Sequence, residues 1–251
     1  MRFFLLLPLF LSITACVTTE TTSFSKNVSV DKEVEARVQI GLGYLQQGKP
    51  EMAIFHMKEI VEKQPKSPRV NEVLALALWE AGENDRAEFH FKKMVKYAPE
   101  YSRGRMNYAS FLLSQDNYKE AKAQLLETTK DIYYPKRGQA FYMLASVYKF
   151  LGETDKMIAA YERSIRLDRR NIPALIELAE YRYKEGQYAQ SYELHKRYRE
   201  AVRQSSAKGL LLGIKLARKF DDKGEEASYV LALKNLYPKS AEYLAYLDMT
   251  R

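Results

Sequence analysis

The sequence predicts an all-α protein, a right-handed superhelical solenoid of about six helix-turn-helix repeats. Three observations carry that prediction. A turn recurs every 34 residues: Gly48-Lys49-Pro50-Glu51-Met52-Ala53 returns as Gly82-Glu83-Asn84-Asp85-Arg86-Ala87 and, weaker, as Asp116-Asn117-Tyr118-Lys119-Glu120-Ala121. Small residues hold fixed places beside it, with Gly41, Ala75, Ala109, Ala145 and Ala179 on each first helix and Ala53, Ala87 and Ala121 on each second helix. Between these positions apolar residues recur at helical spacing, and no strand-like alternation competes.

A period of 34 with this turn is the mark of a tetratricopeptide array, in which each hairpin buries its face against the next. The first repeat runs from Val34 to about Ser67. Its helix A is stopped by Gly48, and its helix B carries Ala53, Met57 and Ile60 and ends at Pro65. The second starts near Pro68 and carries Leu74, Ala75, Leu78, Ala87 and Phe91, with Pro99 34 residues after Pro65. The third starts near Ser102, with Tyr108, Ala109, Leu112, Ala121 and Leu125. The fourth starts near Gly138, with Leu144, Ala145, Tyr148, Gly152, Tyr161 and Ser164, and the fifth near Ile172, with Leu178, Ala179, Gly186, Ser191 and Tyr198.

Two residues are inserted between repeats three and four, around Tyr133-Tyr134-Pro135. Small side chains let paired helices approach closely, and a larger group overpacks them by about 1–3 kcal/mol. Met157 and Ser191 replace the helix-B alanine, so looser packing is expected in repeats four and five. After Ser205 the repeat blurs. Lys208 to Phe220 reads as a helix A, Glu225 to Leu236 as a helix B closed by Pro238, and Ser240 to Asp248 as a short capping helix over the last apolar face.

The N-terminus has a different character. Arg2 precedes an apolar run from Phe3 to Leu11, then Ile13-Thr14-Ala15 directly before Cys16. This reads as a secretory signal over residues 1–15, too short to span about 30 Å of hydrocarbon. It resembles the bacterial lipoprotein signal, in which the cysteine is acylated and becomes the first mature residue. Cys16 is the only cysteine, so a disulfide within one chain is impossible. An ordinary cleaved signal, with Cys16 there by chance, is the alternative. Two acyl chains hold a protein stably on a bilayer where one does not. Residues 16–30 read as the acylated cysteine and a Thr/Ser-rich flexible tether, and 31–251 as the repeat domain. Val17 stands where Asp would favour inner-membrane retention, which points to the periplasmic face of the outer membrane.

Net charge is +8 for the whole chain; loss of Arg2 with the signal leaves +7. For an exported chain this favours anionic lipid or an acidic protein over nucleic acid. Phosphate-loop, zinc-protease and serine-elbow motifs are all missing from the sequence, and no nucleophile is paired with a base. No catalytic residue, metal ligand, cofactor or small-molecule substrate is therefore expected. His56 and His90, 34 apart, read as surface repetition rather than a metal pair, because His195 is far along the stack.

The concave groove of such a stack is lined by set helix-A positions. These are Val38, Leu42 and Leu45 in repeat one and Glu72, Leu76 and Trp79 in repeat two. Met106, Ser110 and Leu113 follow in repeat three, and Tyr142, Ser146 and Lys149 in repeat four. Large apolar residues on a surface mark a partner site, and the single tryptophan suits an interface anchor. The alternative is that these side chains pack against neighbouring helices. A clamp for a peptide carboxylate needs Lys and Asn where Val38, Leu42, Glu72 and Leu76 stand, so an apolar helix or strand is the expected guest. Arg163, Arg166, Arg169 and Arg170, then Lys196, Arg197, Arg199 and Arg203, crowd the later repeats. They form either a solvated face or a contact for anionic lipid or an acidic partner.

Longer strings carry a more specific resemblance. Ala36-Arg37-Val38-Gln39-Ile40-Gly41-Leu42-Gly43-Tyr44-Leu45-Gln46-Gln47-Gly48 resembles the opening of the type IV pilus biogenesis and stability lipoproteins, the PilF/PilW family. Met106-Asn107-Tyr108-Ala109-Ser110-Phe111-Leu112 and Tyr134-Pro135 are similar too. So are Ser206-Ala207, Leu211-Leu212-Gly213-Ile214-Lys215-Leu216-Ala217-Arg218 and Tyr237-Pro238-Lys239-Ser240-Ala241-Glu242. The resemblance implies a non-catalytic outer-membrane lipoprotein that helps the pilus secretin localise and multimerise, or keeps pili stable. Its implied partner is the secretin or another pilus assembly protein. A general periplasmic scaffold, or a regulator of envelope and cell-wall assembly, is the alternative. Many members carry a cysteine pair in the middle repeats; Leu113 and Val147 stand near those places here, so disulfide-dependent behaviour does not carry over.

Overall fold

The computed structural model describes residues 23–250, with side chains from Lys32 onward. The signal segment, Cys16 and residues 17–22 of the expected tether lie outside the described residues. The described residues form thirteen helices and no strand. Six antiparallel hairpins follow one another: α1 (Ser23–Gln46) with α2 (Pro50–Lys63), α3 (Pro68–Glu80) with α4 (Asn84–Tyr97), and α5 (Ser102–Ser114) with α6 (Tyr118–Lys130). Then come α7 (Arg137–Phe150) with α8 (Thr154–Leu167), α9 (Ile172–Lys184) with α10 (Tyr188–Ala201), and α11 (Ala207–Lys219) with α12 (Lys223–Leu236). A single helix, α13 (Ala241–Asp248), closes the stack against α11. No described helix is long and apolar enough to cross a membrane.

The turn inside each hairpin explains the sequence period. Gly48, Gly82, Gly152 and Gly186 all have φ between +66° and +80°, the left-handed region that only glycine enters without a Cβ clash. Asp116 and Asp221 take the same place in repeats three and six, with φ of 55° and 53°. Consecutive turns are 34 residues apart except across Asp116–Gly152, which is 36, and Gly186–Asp221, which is 35. The extra residues sit in the loops between repeats. Four residues join α2 to α3, whereas six (131–136) join α6 to α7 and five (202–206) join α10 to α11. The second insertion falls where the sequence repeat blurs.

Helix starts are capped by the residue types expected there. Ser67, Asn117, Asn171, Ser206, Asp222 and Ser240 each accept a hydrogen bond from a backbone N–H of the first turn. Helix α1 begins at Ser23 rather than Val34, so helical backbone reaches back into the segment expected as a tether.

The small residues act as spacers. A Cβ on Gly41 would lie 2.9 Å from Val73 Cγ1 and 3.2 Å from Met57 Cε, so α1 sits close against α2 and α3. Ala75, Ala109, Ala145 and Ala179 are fully buried, as are Ala53, Ala87 and Ala121. The looser packing expected at Met157 and Ser191 does not occur. Met157 is buried, and α7 and α8 touch more extensively than any other pair. The Ser191 hydroxyl donates to the Ala179 carbonyl at 2.7 Å, which satisfies the polar atom inside the hairpin. One continuous core runs from Val38 to Leu216, and a smaller one around Leu210, Ile214, Tyr229 and Leu233 supports the last repeat and α13.

Candidate functional site

The first helices of the repeats line one face of the stack, and the twelve residues expected there separate by register. Val38, Glu72 and Met106 occupy one repeat position and are 0 %, 2 % and 5 % exposed, so that position lies at the floor of the groove, and Val38, unlike Glu72 and Met106, does not line its cavity. Val38 therefore has no surface to offer a guest, which corrects its expected place. The next register, Leu42, Leu76, Ser110 and Ser146, is half-buried and open on one side. The third register holds Leu45, Trp79 and Leu113, half-buried, and exposed Lys149. Tyr142 shares the first register but is only half-buried, with its ring 6.1 Å from that of Tyr161.

Five of these residues meet in one cavity. Leu42, Glu72, Leu76, Met106 and Ser110 line a concavity of about 290 Å³ together with Arg103, Asn107, Tyr134, Lys136 and Gln139. Its apolar wall comes from Leu42, Leu76 and Met106 of repeats one to three, and its polar wall from Arg103, Asn107 and Ser110 of repeat three, the six-residue loop and Gln139 at the start of α7. At its base lies the buried Glu72 carboxylate. It accepts hydrogen bonds from the Tyr101 hydroxyl at 2.7 Å, Arg103 Nη2 at 2.8 Å, Arg103 Nε at 3.2 Å and Asn107 Nδ2 at 2.8 Å. Burial, with the Glu72 carboxylate beside it, pushes the Tyr101 phenol up to about 12, so it stays a hydrogen-bond donor at physiological pH. The half-exposed Tyr134 hydroxyl reaches Met106 Sδ at 3.3 Å and ties the inserted loop to the cavity.

Trp79 is less free than the sequence suggests. It meets Phe111 edge-on, with ring centroids 5.8 Å apart and planes at 90°, and so bridges repeats two and three. Farther along, Lys149 donates to Glu177 at 2.9 Å, and Lys208 bonds both Glu177 and Glu180. Burial would raise the Glu177 carboxyl, but the hydrogen bonds from Lys208 and Lys149 outweigh it and hold the group below its ordinary range. The face thus leaves apolar surface open beside the Glu72–Arg103 pair at repeats one to three and is charge-paired through Glu177 at repeats four to six.

Arg103 and Asn107 were invisible to repeat-position reasoning. They lie 31 and 35 residues after Glu72, and only that buried acid signals that a cation must come to it. Exposed Phe55 and Phe89, 34 residues apart on α2 and α4, were also missed; they stand on the second helices, away from the groove. His56 and His90 do not form a pair: His56 stacks on Tyr44 at 5.2 Å, while His90 Nδ1 bonds Asn71 Oδ1 at 2.9 Å. Among the described residues no group of three or more His, Cys, Asp or Glu side chains could hold a metal ion.

Comparison with known proteins places this geometry. Three family models described as tetratricopeptide repeat match residues 38–96, 78–142 and 138–171. The chain is 33 % identical over 232 residues to the type IV pilus assembly protein PilF of Pseudomonas aeruginosa, covering 92 % of each. The solved structure of Pseudomonas aeruginosa PilF superposes with a TM-score of 0.81 at 32 % identity, over 88 % of this chain and 99 % of that one. PilW, described as a widely conserved type IV pilus biogenesis factor, superposes with a TM-score of 0.70 at 23 % identity, over 85 % of this chain and 97 % of that one. At that identity PilW supports the fold alone.

Proposed function

The chain belongs to the family of the type IV pilus assembly protein PilF, and from that premise we propose that it acts as a pilotin, a lipid-anchored adaptor that helps the pilus secretin reach the outer membrane and multimerise. The adaptor works by binding and not by catalysis. Cys16 carries the acyl anchor, and the repeat domain hangs in the periplasm from the outer membrane. The observation that carries the reading is the one-sided cavity at repeats one to three. There Leu42 and Leu76 leave apolar surface open beside a carboxylate already saturated by Arg103, Tyr101 and Asn107.

This architecture suits an amphipathic guest. An apolar segment gains by covering Leu42 and Leu76, and Lys136 and Gln139 at the rim offer donors to its polar edge. Glu72 does not repel such a guest, because its charge is neutralised from inside the fold. An immunoblot of the secretin in membranes of a deletion strain, with piliation scored alongside, tests the proposal. Loss of detergent-stable secretin multimers supports it. Intact multimers with lost pili assign the chain a later, stabilising step, and intact multimers with normal pili reject the pilus role.

A further inference from the structure

A second surface lies on the edge formed by the loops between repeats. The two inserted residues push Ile132 and Tyr133 out of the stack, leaving them 64 % and 87 % exposed. The loop tip is nonetheless held. The Tyr133 backbone N–H donates to Asp131 Oδ1 at 3.0 Å, and Asp131 Oδ2 accepts from the Ser102 hydroxyl at 2.6 Å. Ile132 shares a concavity of about 450 Å³ with Leu167 and Asp168 at the end of α8.

Immediately beyond Asp168 a cleft of about 610 Å³ opens between the ends of α8 and α10. Arg166, Arg169, Arg170 and Arg197 line it, with Glu200 as the one acid and Ile165 and Ala201 as the apolar lining. These guanidiniums have little counter-charge. Arg166 lies 3.9 Å from Glu162, which Arg182 engages more closely at 3.0 Å. The side chains of Arg169, Arg170 and Arg197 form no ion pair among the described residues. Four like charges around one cleft repel each other until an anion enters, and guanidinium forks match phosphate oxygens in pairs.

We propose that this edge docks on a bilayer bearing anionic phospholipid, with the arginine cleft taking headgroup phosphates while Ile132 and Tyr133 enter the interface. One occupant then accounts for both features. An acidic protein segment would neutralise the arginines but leave the projecting Ile132 and Tyr133 in water. A lipid surface offers phosphate and apolar depth side by side, and a tyrosine seats its hydroxyl at headgroup level. Docking is separate from acylation at Cys16, which tethers the chain without orienting it, and does not depend on the identity of the groove's guest.

The test is hydrogen exchange on the full chain with vesicles of phosphatidylcholine alone or mixed with phosphatidylglycerol. The expected result is several-fold slower exchange in residues 131–136 and 166–171 with the anionic vesicles only. That protection should be lost in the Arg169→Glu/Arg170→Glu variant and in high salt, and should survive added inorganic phosphate at low concentration. Equal exchange with the two vesicle types overturns the proposal, whether or not the chain is anchored. Competition by inorganic phosphate alone at low concentration assigns the cleft to a free anion. Protection of 166–171 by a polyglutamate peptide, with no vesicle effect, assigns it to a protein segment. Either outcome overturns docking.

Discussion

Arg103 on α5 reaches back to Glu72 on α3 and holds a carboxylate that is 2 % exposed, with Nη2 and Oε2 2.8 Å apart. The arginine is itself partly open to solvent, so the pair joins the floor of the groove to its rim. Removing one partner of a buried pair leaves the other charge uncompensated, which costs about 3–5 kcal/mol in a closed interior. Glu72 keeps Tyr101 and Asn107 as donors, and solvent screens the exposed arginine, so Arg103→Ala is expected to lose about 1–3 kcal/mol. Urea denaturation reads the loss directly. A midpoint unchanged by the substitution would reduce the pair to a surface contact.

His90 makes stability depend on pH. Burial, together with nearby Lys93 and Arg86, lowers its pKa from 6.5 to about 4. Asn71 Nδ2 donates to the carbonyls of Pro65 and Ser67, so its Oδ1 faces His90 and the neutral imidazole donates from Nδ1. Protonation at Nε2 leaves that bond intact; the penalty comes from placing charge in a half-buried site. Because the folded pKa is the lower one, the unfolded chain binds more protons between pH 6.5 and about 4. The contribution is therefore full above 6.5 and falls away as pH drops through that window. The shift bounds it at about 3 kcal/mol, and solvent screening of the half-open ring reduces it to about 1–2 kcal/mol. The difference in urea midpoint between pH 7.5 and pH 5 should shrink in His90→Gln, and an undiminished difference would assign it to other groups.

Asp116 and Asp221 adopt left-handed backbone where the other turns have glycine. A non-glycine residue there carries about 1–2 kcal/mol of strain, and glycine returns part of that gain as entropy in the unfolded chain. Asp221→Gly is expected to stabilise by about 0.5–1 kcal/mol. Asp116 Oδ1 accepts from the Tyr118 hydroxyl at 2.6 Å, so Asp116→Gly also loses a hydrogen bond and should gain less. Thermal melts of the two variants test the order; a larger gain at Asp116 would contradict it.

Gly209 seats the last repeat on the fifth. A Cβ there would lie 2.4 Å from Tyr198 Cε1. The Tyr198 hydroxyl is held by the Ser206 backbone N–H at 2.8 Å, and the Gly209 carbonyl accepts from His195 Nε2 at 2.8 Å. With tyrosine and histidine both fixed, neither yields easily, and Gly209→Ala should destabilise by about 1–3 kcal/mol. Limited proteolysis should then release the end of the chain first, because residues 207–248 rest partly on their own small core. Cleavage appearing first near repeat one would show that the strain is not local.

The repeat boundaries were legible because one local requirement, left-handed backbone at each turn, recurs with a fixed count. The sixth repeat blurred because its turn uses Asp221 and stands one residue late. Asp116 shows that the residue type alone does not hide a turn when its spacing holds. The groove was legible only as a set of registers. Which register opens to solvent depends on how far each first helix is rotated against the next, and the Gly41 and alanine spacers set that through close contacts between helices. Hence Val38 reads as groove-lining in sequence but is enclosed, while Leu42, one turn later, is open. Arg103 escaped notice because it belongs to the partner helix of a buried acid, a relation between repeats that no single repeat displays.

That distinction decides which groove substitution is informative. Trp79→Ala removes the edge contact with Phe111 between repeats two and three, so weakened partner capture in that variant would mix recognition with lost packing. Truncating a half-buried aromatic of this kind should cost about 1–3 kcal/mol, below the range for a fully buried one. Leu42 and Leu76 contact the same core but line the open cavity. Replacing both with glutamine keeps their length and exposes the polar ends to solvent, so helical circular dichroism should be retained. Under the proposed pilotin role, capture of the secretin should fall at least tenfold, equivalent to about 1.4 kcal/mol or more of apolar contact. The control is Phe55→Ser/Phe89→Ser on the second helices, which should leave capture intact. If the control variant loses capture while Leu42→Gln/Leu76→Gln keeps it, the guest binds the opposite face and the groove assignment falls.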